Sequence, residues 1–294
     1  MDPDQAADKG LSPFVRFSRE EWGQLRTTSS LALLEDNVRD LQQITEHLSS
    51  EEATEVYLTL SWLLHLHVSS TKDLYRRAHA FLAQEEIEVP YVIGIAGSVA
   101  AGKSTVAQML QALISRWPGN PRVELVSTDG FLYPNHVLES QGLMNRKGFP
   151  ESYDLPLLLR FLTDFKSGRT EVSAPIHSHL TYDILPDQTQ LIRRPEVLIV
   201  EGLNMLEAGL PEPSEGYRVF VSDYVDFSIY VDAKERHVRE WYLNRFLRLR
   251  GEALGDDSAY FHRFASLSVE EAKEVALRVW AFKACACERS DERQ

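Results

Sequence analysis

Hydrophobic and polar positions divide the chain into a helical first part and an alternating second part. Leucine and valine recur at helical spacing between residues 31 and 41, and again between residues 56 and 63. Ser18, followed three residues later by Glu21, is typical of a helix N-terminus. We therefore predict a disordered tail at residues 1–12 and roughly three or four helices in residues 13–90.

From residue 91 the pattern changes to short apolar runs separated by helical stretches. The runs lie at residues 92–95, 123–127, 197–200 and 227–231. Their length and composition are typical of strands buried on both faces of a parallel sheet. A helical pattern over residues 103–117 follows the first run. This alternation predicts an α/β fold with a mostly parallel sheet flanked by helices, and the phosphate-binding motif described next makes it P-loop NTPase-like. We assign residues 91–280 to this core, 281–294 to a divergent tail, and 13–294 to one domain.

A phosphate-binding motif follows the first strand directly. The segment from Gly97 to Ser104 fits G-x-x-x-x-G-K-[ST] at every fixed position. Its glycines let backbone N–H groups converge on phosphate oxygens, and the helix N-terminus adds about half a positive charge. Lys103 is expected to reach the β- and γ-phosphates of ATP, and Ser104 to bind Mg²⁺. The predicted nucleotide-binding residues are Gly97, Ser98, Val99, Ala100, Ala101, Gly102, Lys103, Ser104 and Thr105.

Three acidic residues follow predicted strands. Asp129 would lie at the carboxyl edge of the sheet, where a carboxylate can accept the proton of a substrate hydroxyl. The alternative for Asp129 is a turn-stabilising hydrogen bond beside Gly130. Glu201 is placed to hold Mg²⁺ directly or through water, or else to make an ordinary hydrogen bond. We predict that Asp232 is the N-cap of the next helix.

Basic and histidine residues further along the chain leave more than one interpretation. Several arginines share one predicted helix, where most form a solvated face and one can act on the transferring phosphoryl group. They are Arg236, Arg239, Arg245, Arg248 and Arg250. His177 and His179 favour a polar substrate contact or a loop hydrogen bond over a metal site. These residues predict a small-molecule kinase and leave its substrate open.

Charge and composition exclude several classes of partner. The net charge is −13 and no block of basic residues occurs, which excludes a nucleic-acid or anionic-membrane partner. The start of the chain lacks the apolar core of a signal peptide, and no apolar run is long enough to span a bilayer. Cys285 and Cys287 are expected to be reduced thiols. We predict a cytoplasmic protein with no membrane partner.

Beyond the phosphate loop, the sequence resembles bacterial type I pantothenate kinases over roughly residues 13–280. The matching stretches are residues 127–132 (Ser-Thr-Asp-Gly-Phe-Leu), 146–154 (Arg-Lys-Gly-Phe-Pro-Glu-Ser-Tyr-Asp), 178–183 (Ser-His-Leu-Thr-Tyr-Asp), 200–204 (Val-Glu-Gly-Leu-Asn), 221–232 (Val-Ser-Asp-Tyr-Val-Asp-Phe-Ser-Ile-Tyr-Val-Asp), 241–246 (Trp-Tyr-Leu-Asn-Arg-Phe) and 260–262 (Tyr-Phe-His). The runs at 146–154 and 221–232 are far more specific than the phosphate loop, which a large superfamily shares.

The resemblance implies ATP-dependent phosphorylation of pantothenate to 4'-phosphopantothenate, the first step towards coenzyme A. It implies that Asp129 activates the hydroxyl, that Lys103 and Arg245 are the phosphate and transition-state cations, and that Ser104 binds Mg²⁺ and phosphate. The residues that it places around pantothenate are Asp129, His179, Tyr182, Tyr242, Tyr260 and Phe261. It also implies a homodimer and feedback inhibition by coenzyme A at the ATP site.

The sequence departs from the family pattern at several positions. His177 and Phe264 stand where tyrosine is common, and Gln108 replaces a basic residue seen in some members. After Trp280 the similarity stops, and the family's pantothenate-contacting asparagine is missing from residues 281–294. An alternative function is therefore a nucleotide-binding protein with impaired or no kinase activity. Another small-molecule P-loop kinase of the uridine or ribulose-phosphate type is the remaining alternative.

Overall fold

A computed structural model of the chain describes residues 14–25, 53–84, 89–205, 219–257 and 259–291. The backbone contacts define two compact units, residues 1–69 and 70–294. The helices, in chain order, are α1 (Arg19–Gln24), α2 (Thr59–Phe81), α3 (Lys103–Ile114), α4 (Asn135–Ser140), α5 (Leu155–Lys166), α6 (Glu235–Glu252) and α7 (Val269–Asp291). The strands are β1 (Tyr91–Gly97), β2 (Val123–Ser127), β3 (Glu171–Ser178), β4 (Asp183–Arg193), β5 (Val197–Glu201) and β6 (Phe227–Val231).

The regular elements described in the first unit are helical. Ser18 caps α1 through a reciprocal box: its Oγ accepts from the Glu21 backbone N–H at 3.1 Å, and Glu21 Oε2 accepts from the Ser18 N–H at 2.7 Å. This confirms the predicted helix start. A π-helical segment, Ala53–Leu58, leads into α2, which continues into the second unit. The predicted helix over residues 31–41 lies outside the described residues.

A four-stranded parallel sheet forms the centre of the second unit. Its strand order is β2-β5-β1-β6, and all three pairings are parallel. Every residue of β1 and of β5 is buried, as the short apolar runs predict. This arrangement confirms the predicted α/β sheet. Because the strands are parallel, the carboxyl ends of β1, β2, β5 and β6 meet at one edge, and Glu201 stands level with Ile95 and Ser127.

The second unit contains two clusters of buried apolar residues. One joins α5 to the sheet through residues such as Phe161, Phe165, Val126 and Val200. The other lies between α6, α7 and the 3₁₀ turn Tyr260–Phe264. The backbone of α7 continues through residues 281–291, the segment for which a divergent tail is predicted. The predicted division into helical segment, core and tail stays a prediction.

The start of α6 differs from the prediction for Asp232. The helix begins at Glu235 and Lys234 occupies the N-cap position, without a side-chain capping bond. Asp232 is therefore not the N-cap, because it lies two residues before the cap position. An antiparallel hairpin of β3 and β4, which the sequence analysis did not predict, completes the architecture. No helix within the described residues has the length and apolar character needed to cross a membrane.

Candidate active site

The loop between β1 and α3 forms a cradle of the kind that binds phosphate. Gly97 has a φ of +148°, and a Cβ there would lie 2.4 Å from the Val231 carbonyl oxygen, so only glycine fits beside β6. Gly102, with a φ of +96°, is the N-cap of α3. The Lys103 ammonium is buried and donates to the Gly97 and Ser98 carbonyls at 3.1 and 2.8 Å. The loop thus wraps around a cation at a helix N-terminus, which fits a nucleotide polyphosphate.

Ser104 and Glu201 place two oxygen ligands beside this cradle. Ser104 Oγ donates to Glu201 Oε1 at 3.0 Å, and Glu201 is buried at the end of β5. Burial and, secondly, the negative charge of Asp129 raise the pKa of Glu201 above its ordinary value. Hydroxyl and carboxylate oxygens are hard ligands that suit Mg²⁺. In the described part of the chain, no group of three or more His, Cys, Asp or Glu side chains could hold a metal ion, so phosphate oxygens would complete the set.

Asp129 is the second residue of the 3₁₀ turn Thr128–Phe131, which follows β2. Its backbone N–H donates to Ser127 Oγ at 3.4 Å, and its Oδ1 accepts from the hydroxyl of Tyr153 at 3.2 Å. Gly130 allows the turn to approach β3 closely, since a Cβ there would lie 2.2 Å from the Pro175 carbonyl oxygen. The carboxylate is thereby held at the sheet edge predicted from its position after a strand.

The turn between β3 and β4 carries the predicted substrate residues His179 and Tyr182. Tyr182 has a φ of +52°, a left-handed conformation that costs a bulky residue energy. Asn135 Nδ2 and Lys147 Nζ both donate to the Tyr182 carbonyl, at 3.1 and 2.5 Å. Lys147 Nζ also donates to Asn135 Oδ1 at 2.6 Å and lies 4.4 Å from the centre of the Tyr182 ring. These contacts fix the turn beside Asp129.

A cavity brings most of the predicted catalytic and substrate residues together. Its lining includes Asp129, His179, Tyr182, Tyr242, Arg245 and Phe261. Val99 of the phosphate cradle also contributes, so the cavity adjoins the nucleotide site. Among the arginines of α6, Arg245 faces this cavity and lies 3.4 Å from His179 (Nη2 to Nδ1), whereas Arg250 donates to loop carbonyls at Phe264 and beyond.

Tyr260 is placed differently from the other predicted substrate residues. Its ring packs 4.7 Å from that of Tyr182, centroid to centroid, and it lines a neighbouring depression with Asn135 and Arg263. The Arg263 guanidinium lies 4.0 Å from the centre of the Tyr260 ring. Tyr260 therefore supports Tyr182 from behind, and its direct contact with a substrate stays a prediction.

Burial dominates the electrostatics of the cavity. Desolvation lowers the pKa of His177 to about 4, aided by the charge of Lys147 and opposed by Asp129. Desolvation and the charge of Arg245 also lower the pKa of His179. Burial and Asp129 raise the pKa of Tyr182 to about 12. At neutral pH the cavity therefore combines neutral imidazoles and a neutral phenol with the charges of its aspartate, lysine and arginine.

The sequence analysis gave no role to Lys147 or Tyr153 and left the role of His177 open. Lys147 and His177 line the cavity, and Tyr153 contacts Asp129. Lys147 and Tyr153 belong to the run 146–154. The sequence marks this run as specific to the family, but it does not show what the individual residues do. For His177 the sequence left a polar substrate contact or a loop hydrogen bond open, and the structure places this residue in the cavity wall. In the described structure, neither of its buried ring nitrogens has a hydrogen-bond partner.

Comparisons with known proteins agree with this geometry. Residues 92–261 match the family described as "Phosphoribulokinase / Uridine kinase family". A pantothenate kinase of Brevibacillus brevis is 52% identical over 271 residues, covering 92% of this chain and 85% of that protein. A pantothenate kinase of Xanthobacter autotrophicus is 51% identical over 284 residues, covering 94% of this chain and 88% of that protein. A D-glycerate 3-kinase structure from Cryptococcus neoformans var. grubii shares the fold, with 16% identity, a TM-score of 0.50 and coverage of 74% of this chain and 84% of that one.

Fold and phosphate cradle together define a P-loop kinase. The chain belongs to the phosphoribulokinase/uridine kinase family and, at about half identity over most of its length, to the pantothenate kinases within it.

Proposed function

We propose that this protein transfers the terminal phosphoryl group of ATP to the primary hydroxyl of pantothenate, giving 4'-phosphopantothenate, the first step of coenzyme A biosynthesis. One observation carries the proposal: Asp129, Arg245 and Val99 of the phosphate cradle line the same cavity. A hydroxyl held by Asp129 would therefore lie beside the phosphate site. The curated pantothenate kinases at 52% and 51% identity identify the acceptor better than the cavity shape alone.

The residues have separable roles in this reaction. When bound, Mg-ATP supplies the phosphoryl group together with the metal charge that offsets its negative oxygens. Lys103 and the N–H groups of residues 97–105 bind the phosphates, and Ser104 and Glu201 hold Mg²⁺. Asp129 accepts the proton of the attacking hydroxyl. Arg245 stabilises charge that develops on the transferring group.

The cavity walls suit a short, flexible acceptor. Rings of Tyr182, Tyr242, Phe246 and Phe261 supply apolar surface, with Phe246 and Phe261 packed edge to face at 5.4 Å. Such walls exclude water and hold the acceptor against the phosphate. The neutral His179 is placed to exchange a hydrogen bond with a polar group of pantothenate.

The same proposal extends to regulation and assembly. We expect a cytoplasmic homodimer that coenzyme A inhibits in competition with ATP. Gln108, exposed one turn after Ser104 on α3, stands where some relatives carry a basic residue. We therefore expect weaker inhibition by coenzyme A than in relatives with a cation there, because one phosphate contact is uncharged.

Pantothenate-dependent ADP release from Mg-ATP tests the function, with Lys103→Ala as control and uridine as competing acceptor. We expect turnover that requires both pantothenate and Lys103. Turnover of uridine alone would assign a different acceptor. A folded protein that binds ATP without turnover would indicate a nucleotide-binding protein instead.

A further inference from the structure

Tyr153 lies against the carboxylate to which the proposed function assigns proton transfer. Its hydroxyl donates to Asp129 Oδ1 at 3.2 Å, and the side chain is buried. Both residues belong to the second compact unit, so one body holds them. The contact is long for an O–H···O bond, which is common in a kinase site without its substrates.

The backbone around Tyr153 is fixed to the segment that carries Asp129. Tyr133 N–H donates to the Ser152 carbonyl at 2.8 Å, and Asp154 N–H donates to the Phe131 carbonyl at 2.7 Å. These bonds flank the antiparallel bridge between Leu132 and Tyr153. A short two-stranded ladder therefore sets the distance between the phenol and the Asp129 turn.

A second set of contacts holds the Tyr153 segment from its other side. The fully buried Ser152 accepts from the Gly148 N–H at 2.9 Å and donates to the Phe149 carbonyl at 2.7 Å through its hydroxyl. The run 146–154, the most specific part of the resemblance, thus folds into a closed turn. Tyr153 is the side chain that this turn directs at the sheet edge.

We propose that Tyr153 is a positioning residue for Asp129. The terminal torsion of an aspartate is broad, so the carboxylate rotates freely unless a partner holds one oxygen. Tyr153 holds Oδ1 and leaves Oδ2 to receive the hydroxyl proton of the acceptor.

This inference rests on the proposed function and makes a separate prediction about rate. Tyr153→Phe removes the hydroxyl and keeps the ring. We expect kcat to fall about tenfold, the effect of losing one hydrogen bond to a charged group. The KM values for ATP and pantothenate stay near those of the wild type, because Tyr153 does not line the cavity.

The matched control is Tyr224→Phe. It removes another tyrosine hydroxyl, one that shares a 2.6 Å hydrogen bond with Thr163 away from the cavity. We expect wild-type kcat and wild-type KM values for this variant. Equal losses in the two variants would show a general structural effect and would overturn the positioning role.

A double-variant comparison separates positioning from packing. In an Asp129→Asn background, Tyr153→Phe should lower the residual rate no further, since the carboxylate it positions is gone. Full additivity of the two losses would overturn the inference. If Tyr153→Phe is insoluble, fluorinated tyrosine at position 153 keeps the shape and strengthens the donor, so kcat should change while the KM values for ATP and pantothenate do not. An unchanged kcat would reject the positioning role.

The outcomes for the wild type and the variant distinguish the two proposals. Absence of pantothenate turnover in the folded wild type would reject the proposed function, and the inference with it. Normal wild-type turnover with an unaffected Tyr153→Phe would reject the inference alone.

Discussion

Ser104 and Glu201 are joined across the active edge of the sheet, with Ser104 Oγ donating to Glu201 Oε1 at 3.0 Å. One residue opens α3 and the other ends β5, so the contact links the phosphate cradle to the neighbouring strand. Glu201 is buried beside the charge of Asp129, which raises its pKa. A buried carboxylate with a raised pKa is unfavourable when ionised, and a bound cation removes this cost.

Glu201→Gln should therefore separate stability from metal use. A carboxyl whose pKa is raised on folding binds its proton more tightly in the folded state, so its contribution to stability is lost as the pH rises through that pKa. Removing the charge should raise the unfolding temperature of the metal-free protein at pH 7. Activity at limiting Mg²⁺ should fall by about 10- to 100-fold, as for other groups that tune a metal site. Thermal unfolding and Mg²⁺ titrations check both effects, and unchanged Mg²⁺ dependence would remove Glu201 from the metal site.

Asp129→Asn should lower kcat by about 10²- to 10⁴-fold, the usual contribution of a general base. The substitution keeps the side-chain shape, so ATP affinity should not change. Asp232→Asn is the matched control, because Asp232 is an exposed carboxylate just after β6 at the same sheet edge. Steady-state kinetics and ATP titrations make the comparison. Comparable turnover in the two variants would exclude Asp129 as the base.

The sheet and the cradle were predictable because their signals are local. Residues 123–127 and 227–231 coincide with β2 and β6, so the short apolar runs predicted these strands. Burial on both faces was wrong for them, because β2 and β6 are the edge strands: β2 is mostly half-buried, and β6 alternates half-buried and exposed positions. The glycines and Lys103 of the phosphate loop occupy fixed spacings. The carboxyl ends of parallel strands lie at one edge of a sheet. Asp129 follows β2, Glu201 ends β5 and the phosphate loop follows β1, so the sequence already places all three at the same edge.

The acceptor side of the site was not predictable by the same means. β3 alternates buried and exposed positions only at first and then becomes partly buried, which gives no clear period. Lys147 would be assigned to the surface from its type, yet it is buried because Asn135 and Tyr182 supply oxygen partners. The resemblance supplied His179 and Tyr182, whereas tertiary contacts alone reveal Tyr153 and Asn135.

Gly202→Ala should disrupt the end of β5. A Cβ at this position would lie 1.8 Å from Thr128 Oγ1 and 2.8 Å from Thr128 Cβ, so the turn before Asp129 would have to move. We expect a loss of about 1–3 kcal/mol of stability or more, together with reduced turnover. Denaturant unfolding measures the first effect and ADP release the second.

Gly251→Ala is the control for the effect of adding a methyl group. Gly251 lies in α6, and a Cβ there would meet no atom within 4 Å. Alanine is favoured over glycine in a helix, so this variant should gain about 0.5–1 kcal/mol of stability. Equal responses at positions 202 and 251 would contradict the close approach of Gly202 to Thr128.

Asn135→Ala should weaken pantothenate binding with little effect on ATP. Asn135 contacts the turn between β3 and β4 twice: its Nδ2 donates to the Tyr182 carbonyl, and its backbone N–H donates to Asp183 Oδ1 at 2.9 Å. Its amide oxygen accepts from Lys147 Nζ. Loss of the side chain leaves Lys147 and the Tyr182 carbonyl with one partner fewer each. We expect the KM for pantothenate to rise about tenfold, or about 1.4 kcal/mol. Asn145→Ala, at an exposed position in the turn Met144–Arg146, is the control. An equal KM for pantothenate in the two variants would show that Asn135 does not fix the turn between β3 and β4.

His177 should make the protein less stable in mild acid. Its pKa falls from 6.5 to about 4 on folding, because burial disfavours the charged imidazole. A histidine with a depressed pKa contributes fully to stability above about pH 6.5, and this contribution is lost as the pH falls to about 4. Asp129 and Asp183 oppose the depression, while Lys147 and His179 reinforce it. The unfolding temperature should therefore drop across this pH window.

His177→Phe tests the assignment because phenylalanine cannot titrate. Between pH 6.5 and 4, the unfolding temperature of the variant should fall by several degrees less than that of the wild type. A change of about 1 kcal/mol in stability corresponds to about 2–4 °C in a domain of this size. His136→Phe, at an exposed position on α4, is the control and should retain the wild-type slope. Thermal unfolding at a series of pH values provides the measurement. A wild-type slope in His177→Phe would mean that His177 is already protonated, or solvated, in the folded state.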